Sequence, residues 1–168
     1  MTAAVPALAA ITFGTMLGET SLSSRHARAL RARGAVEPAG DVYRAMALAY
    51  PGAFAAIFVE GLLRGSAVDG WFTAGLGLLV AAKALKYWAI ATLGERWTFR
   101  VLVPPRSTAT SAGPYRWLTH PNYLAVVGEL AGAGVAAHAP IAGVAAVVGF
   151  GLLIRRRIAI EDIALAQR

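Results

Sequence analysis

Long apolar blocks separated by short polar segments constrain the fold of this chain more than any other feature. The blocks cover residues 3–17, 42–63, 71–93, 122–137 and 141–154. A run of about 20 apolar residues matches the hydrocarbon thickness of a bilayer, and shorter runs suffice where the bilayer thins. The composition agrees, with 57% hydrophobic and only 15% charged residues. The sequence therefore predicts an all-α integral membrane bundle of about five transmembrane helices.

Arginine-rich polar segments predict the orientation of this bundle. A predicted polar loop over residues 19–41, the polar segment 94–119 and the tail 155–168 carry four arginines each and share one face in a five-span arrangement. The opposite connections hold only Arg64 and His138 as basic residues. Because excess Lys and Arg marks the cytoplasmic side, we expect the N-terminus outside and the C-terminus in the cytoplasm. Topology thus explains the net charge of +7 better than nucleic-acid binding does.

The chain length fits a single domain, residues 1–168. We expect residues 1–93 to form three spans and residues 94–168 to form the functional half, with the last two spans and a helical tail. The first block lacks a preceding basic residue and a clear cleavage motif, which favours a retained helix over a signal peptide. The absence of cysteine excludes disulfides and thiol catalysis, and three widely separated histidines give little support to a metal site.

Residues 111–123 concentrate the unusual chemistry of the chain. Gly113-Pro114 indicates a turn, and Pro121 fits the first turn of a helix. Aromatic, guanidinium, imidazole and amide groups precede an apolar helix that is interrupted by one carboxyl, Glu129. A carboxyl inside such a segment is costly and so indicates a function. This stretch predicts a cofactor site at a membrane surface.

Three motifs carry a resemblance to a known family: Gly113-Pro114-Tyr115-Arg116, His120-Pro121-Asn122-Tyr123 and the tail sequence from Arg157 to Asp162. They resemble the C-terminal half of the isoprenylcysteine carboxyl methyltransferase superfamily, which includes phospholipid N-methyltransferases. The resemblance implies a multi-span protein that transfers a methyl group from S-adenosylmethionine to a lipophilic acceptor.

Leu85-Lys86-Tyr87-Trp88 and Glu95-Arg96-Trp97-Thr98, together with Pro121-Asn122-Tyr123, are similar to a bacterial branch that O-methylates alkylresorcinols and alkylpyrones. This resemblance implies a location in the inner membrane of a bacterium. The chain departs from the family pattern at Thr119, where the family has arginine, and at Ala125, where it has glycine. The first departure removes a contact to an anionic group, whereas the second keeps a small residue and therefore close helix approach.

The resemblance implies a set of cofactor-binding residues, and each has an alternative role. His120 would bind the cofactor or cap a helix, and the acidic pair would hold the cofactor ammonium unless Glu161 simply pairs with Arg157 four residues away. The tyrosines would wall the sulfonium or form an interfacial aromatic belt. The full set is Gly113, Tyr115, Arg116, His120, Pro121, Tyr123, Arg157, Glu161 and Asp162.

Glu129, Arg96 and Arg100 are the candidate catalytic residues. Glu129 lies two helical turns after Asn122, so both point the same way, and a carboxyl in apolar surroundings suits a general base. A phenol needs such a base, whereas a carboxylate does not. Alternatively Glu129 is structural and paired with Lys83 or Lys86. The two arginines would orient the acceptor head group or anchor the chain at the positive side.

These features together predict an S-adenosylmethionine-dependent methyltransferase that acts on a hydroxyl of a phenolic or pyrone lipid. The alternatives are carboxyl methylation of an isoprenylcysteine-like substrate, N-methylation of a phospholipid, an NADPH-dependent membrane reductase of similar fold, or a non-enzymatic membrane adaptor. We expect a small lipophilic substrate and the lipid bilayer as partners, with no nucleic acid and no metal.

Overall fold

The computed structural model describes residues 3–38, 40–103 and 110–166, with the side chains of residues 162 and 164–166 outside the description. Within these residues the chain is all-α, as predicted, and its only β-pairing is an isolated antiparallel bridge between Val36 and Val103. The five α-helices are α1 (Ala4–Ala32), α2 (Tyr43–Arg64), α3 (Gly70–Leu93), α4 (Pro121–Ala136) and α5 (Pro140–Ala166). Two helical stretches, Tyr43–Arg64 and Gly70–Arg96, are long and apolar enough to cross a membrane.

Helix α1 is longer than the sequence predicts. The polar loop expected from residue 19 onward is wrong, because the helix continues to Ala32. Its buried residues repeat every three or four positions along the whole helix: Val5, Leu8, Thr12, Met16, Glu19, Ser23, Ala27 and Leu30. That spacing keeps one face against the bundle although the composition becomes polar. The extension places Glu19 in the interior with 4% of its surface exposed.

Helix α2 contains a proline, a residue that usually kinks or breaks a helix. Pro51 lies inside α2, which is continuous from Tyr43 to Arg64. A proline removes one intrahelical hydrogen bond, and packing of the neighbouring helices compensates for that loss. Tyr50 and Pro51 line the central cavity described below.

Helices α3 and α4 pack closely through glycines. A side-chain carbon at Gly132 would lie 2.6 Å from the backbone nitrogen of Leu79 and 2.9 Å from the carbonyl oxygen of Gly75. A Cβ at Gly128 would also meet α3, at 3.0 Å from the Cβ of Ala82, so Gly128 and Gly132 form a small-residue face for helix packing. This contact sets the position of α3 against the carboxyl of α4.

The three arginine-rich segments meet at one end of the bundle. The carbonyl of Trp97 lies 2.9 Å from His26 Nδ1 of α1, and the carbonyl of Phe99 accepts a 2.5 Å hydrogen bond from Arg157 of α5. At the other end, the hydroxyl of Ser66 donates to the carbonyl of Ala137 at 2.5 Å. The end that holds the arginine-rich segments also holds the predicted cofactor residues.

Candidate functional site

Four predicted cofactor residues form one contact group, here called the rim cluster: His120, Tyr123, Arg157 and Glu161. The hydroxyl of Tyr123 donates to Glu161 Oε1, and Arg157 Nε donates to the Tyr123 oxygen at 2.8 Å. His120 Nδ1 lies 3.8 Å from Glu161 Oε2, and its ring stacks on Tyr123 with 5.5 Å between ring centres. The rim cluster therefore joins the start of α4 to the end of α5, and its members Tyr123 and Glu161 are 38 positions apart in the sequence.

Local helix geometry explains how these side chains meet. His120 is the N-cap of α4, and Pro121 occupies its first turn, fully buried. The imidazole makes no capping hydrogen bond to the helix. It stacks instead on Tyr123, because residues three positions apart lie on the same side of a helix. Arg157 and Glu161 are four residues apart on one face of α5, 3.3 Å from each other. The pairing that the sequence leaves open as an alternative is thus present within the cluster.

Arg157 anchors the rim cluster to the rest of the bundle. Its guanidinium lies 3.4 Å from Asp41 Oδ1, donates to the Phe99 carbonyl and leaves 4% of the residue exposed. A buried cation is tolerated only when charges and hydrogen bonds satisfy it. These contacts connect α5 with the segment that precedes α2 and with residues 94–103.

Tyr115 and Gly113 lie in the short helix Gly113–Arg116 beside this cluster. Burial and the negative charge of Glu161 raise the pKa of Tyr115 from 10.0 to about 12. Tyr115 therefore interacts electrostatically with the rim cluster through Glu161. Gly113 has φ +54°, a conformation that favours glycine, so it shapes the turn. The side chain of Asp162 lies outside the described residues.

The remaining predicted arginines make contacts away from the rim cluster. Arg116 is exposed and lies beside the ring of the tryptophan that follows it, at 5.4 Å. Arg96 is exposed and donates to Thr110 Oγ1 at 2.5 Å. Arg100 pairs with Glu37 at 2.8 Å. The proposed role of Arg96 and Arg100 in orienting the acceptor therefore stays a prediction.

A second group of charged side chains lies in the interior and is called here the core ion cluster: Glu19, Tyr50, Lys83, Lys86 and Glu129. Both lysines lie 3.3 Å from Glu129 and within 2.7 Å of Glu19. The Tyr50 hydroxyl donates to Glu129 Oε2. Glu129 is fully buried and Lys86 is 1% exposed. The lysine partners suggested for Glu129 by the sequence are therefore confirmed.

A cavity of about 390 Å³ connects the two clusters. Its polar wall residues include Tyr50 and Lys86 from the core ion cluster, Tyr123 and Arg157 from the rim cluster, and Asn122. The rest of the wall is mainly apolar, with Phe13, Met16, Leu17, Met46, Ala47, Val126 and Phe150. Sites that bind small molecules have this volume and this mixture of apolar walls and a few polar groups.

Comparison with models of known protein families identifies the family of this chain. Residues 75–167 match the model of the isoprenylcysteine carboxyl methyltransferase (ICMT) family. The chain belongs to the ICMT family. ICMT membership indicates a membrane methyltransferase, and the matched residues include the whole rim cluster together with Lys86 and Glu129.

Two bacterial proteins are similar to this ICMT family member along most of its length. The uncharacterized protein YpbQ of Bacillus subtilis is 26% identical over 123 residues, which cover 73% of each chain. An uncharacterized protein of Haemophilus influenzae is 26% identical over 161 residues, which cover 93% of this chain and 94% of its own. No solved structure matches the chain significantly.

Several residues at the site are missed by sequence reasoning. Tyr50 and Glu19 carry no motif and precede the residues that match the ICMT family. The three- and four-residue spacing of the buried face of α1 could have revealed Glu19, because Glu19 falls on it. Tyr50 has no comparable signal, since a tyrosine near a proline in an apolar helix also fits an interfacial position.

Proposed function

We propose that this chain transfers a methyl group from S-adenosylmethionine to the hydroxyl of a phenolic or pyrone lipid, with the rim cluster facing the cytoplasm of a bacterium. One observation carries the proposal. A group of charged and aromatic side chains at one end of the bundle borders a largely apolar cavity of about 390 Å³. A charged donor and an oily acceptor require these two environments side by side.

The rim cluster suits the amino-acid part of S-adenosylmethionine. A carboxylate has about four acceptor positions, so Glu161 can accept an ammonium in addition to its bonds from Tyr123 and Arg157. His120, at the start of α4, would donate to the cofactor carboxylate near the positive end of the helix dipole. The faces of Tyr115 and Tyr123 would attract the sulfonium. The bound cofactor supplies an electrophilic methyl group.

The cavity suits the lipid acceptor. Its apolar wall residues from α1, α2 and α4 would enclose an alkyl chain and exclude water from the reacting groups. Lys86 and Tyr50 would hold the acceptor oxygen, and Glu129 contacts both of them. A neutral hydroxyl has to lose a proton, so a carboxylate that contacts the cavity wall favours a hydroxyl over a carboxylate acceptor.

Isothermal titration calorimetry in detergent, with S-adenosylmethionine and NADPH in parallel, tests the cofactor. We expect heat from the first ligand only. His120→Ala should weaken binding by about tenfold or more, since a hydrogen bond to a charged group contributes about 1.5–3 kcal/mol. Glu129→Gln should leave cofactor binding unchanged and slow methyl transfer to an alkylresorcinol.

Arg155→Ala is the matched control, because Arg155 is exposed on the same helix as Glu161. Binding of NADPH alone would support a reductase, and binding of neither ligand would support an adaptor. Normal turnover in Glu129→Gln would remove Glu129 from proton transfer. Transfer to a prenylated carboxylate or a phospholipid amine, but not to a phenol, would reassign the acceptor.

A further inference from the structure

The core ion cluster reaches the cavity through two of its members. Tyr50 and Lys86 line the wall, whereas Glu129 is fully buried and contacts both of them. An acceptor in the cavity would therefore meet the Tyr50 hydroxyl before the Glu129 carboxylate. This arrangement separates the group that touches an acceptor from the group that finally holds its proton.

We propose that Tyr50 relays the acceptor proton to Glu129 and that the acceptor is accordingly a neutral hydroxyl; this inference rests on the proposed function. The acceptor hydroxyl donates its proton to the Tyr50 oxygen while the Tyr50 proton passes to Glu129 Oε2. The acceptor oxygen forms the bond to the methyl carbon, and the electron pair of the broken carbon–sulfur bond stays on sulfur. Glu129 ends as a neutral acid, and the sulfonium ends as a neutral thioether.

Hydrogen bonding orients Tyr50 for this relay. Lys86 Nζ donates to the Tyr50 oxygen at 3.3 Å, and the Tyr50 hydroxyl in turn donates to Glu129. The Tyr50 oxygen has two lone pairs, so one remains for an acceptor hydroxyl. Phe54 and Phe150 hold the tyrosine ring from two sides, with 5.1 and 5.2 Å between ring centres. The hydroxyl is therefore fixed toward Glu129 before an acceptor arrives.

The charge of the core ion cluster makes the inference specific. At their ordinary charges the two lysines balance Glu19 and Glu129. When Glu129 takes up the proton, the core ion cluster has one net positive charge. This charge lies beside the acceptor oxygen, which has become negative by losing the proton, and opposite charges attract strongly in an apolar site without water. A carboxylate acceptor would instead bring a negative charge to a cluster that is already neutral, which is costly in an apolar interior.

A nitrophenol with a long alkyl chain tests the relay without cofactor, because its absorbance distinguishes phenol from phenolate. We expect the phenol bound to full-length protein in detergent to ionise at least one pH unit lower than in detergent alone, a tenfold change in the phenolate ratio. Tyr50→Phe should lose most of this shift. Tyr43→Phe is the control and should keep the shift, since Tyr43 also lines the cavity but packs against Arg100 and not against the core ion cluster.

The pH dependence of this titration also involves the other groups that face Glu129. They are Glu19 from α1 and Lys83, Lys86 and Tyr87 from α3, whereas the Phe150 ring of α5, which packs on Tyr50, carries no charge. Calorimetry in buffers of different ionisation enthalpy separates them from the relay. A proton that stays on Glu129 gives the same binding heat in each buffer, whereas a proton released to solvent does not.

Three results would overturn the inference: no ionisation shift in the wild-type protein, a full shift in Tyr50→Phe, or heats that depend on the buffer. If Tyr50→Phe fails to fold, the wild-type shift and the buffer comparison still decide. A protein that binds S-adenosylmethionine but shows no shift contradicts only the relay. A protein that shows the shift but binds no S-adenosylmethionine contradicts the proposed function instead.

Discussion

Replacing Arg157 by methionine should destabilise the bundle and weaken cofactor binding together. Arg157 is 4% exposed, and its guanidinium lies 3.4 Å from the carboxylate of Asp41, whose side chain is also 4% exposed. Methionine keeps most of the length of the side chain but removes the charge. The substitution therefore leaves a buried carboxylate without its ion pair and releases Tyr123 and Glu161 from their common donor.

The expected magnitude follows from these contacts. Breaking a buried ion pair by removal of one partner costs about 3–5 kcal/mol. Asp41 still accepts hydrogen bonds from the backbone nitrogens of Tyr43 and Val101, at 3.1 and 3.3 Å, and Glu161 is 22% exposed and so contributes less. The lower end, about 3 kcal/mol, is therefore expected, which corresponds to a Tm lower by about 6–12 °C for a chain of this size.

Thermal unfolding in detergent, followed by tryptophan fluorescence, measures this loss. Arg155→Met is the control, because Arg155 is exposed two residues earlier on the same helix. Calorimetry with S-adenosylmethionine on both variants adds the functional readout. If Arg157→Met melted and bound cofactor like Arg155→Met, Arg157 would not be the anchor of the rim cluster.

Two further predictions concern packing and acid stability. Gly132→Ala should lower the free energy of unfolding by about 1–3 kcal/mol, because its Cβ would meet the α3 backbone. Gly77→Ala should be neutral or stabilising, because its Cβ would have no neighbour within 4 Å. Thermal unfolding of the two variants measures this difference. Burial raises the pKa of Glu37, but hydrogen bonds from two guanidiniums outweigh it and hold the pKa below 4.5. This stabilisation is complete above about pH 4.5 and is lost as the pH falls through the folded pKa, so Glu37→Gln should lose less stability between pH 6 and pH 3 than wild type in unfolding scans.

The helices that carry strong hydrophobic blocks could be predicted from sequence because their length and apolar character are local properties. Helix α5 was also predicted to continue past residue 154, which the structure confirms to Ala166. The end of α1 could not be predicted from hydrophobicity, because Ser23 and Ala27 bury small side chains without forming an apolar block. Burial there depends on the partners across the bundle.

Site residues divide in the same way. His120 and Glu161 could be predicted as neighbours only through the family motifs, since the 3.8 Å distance between them depends on how α5 packs against α4. The lysine partners of Glu129 could be predicted, because charged side chains in apolar segments usually pair with opposite charges. Glu19 and Tyr50 were not, because their roles depend on contacts with side chains of other helices that are far away in the sequence, Lys83 for Glu19 and Glu129 for Tyr50.

The wall of the central cavity has a consequence for how such proteins diversify. About half of its residues, including Phe13, Met46 and Tyr50, precede residue 75, where similarity to the ICMT family begins. The rim cluster lies entirely after that point. If the proposed function is correct, changes in the first two helices alter which lipophilic acceptor fits while the residues that bind the methyl donor stay the same. Relatives with the same C-terminal motifs then need not share a substrate.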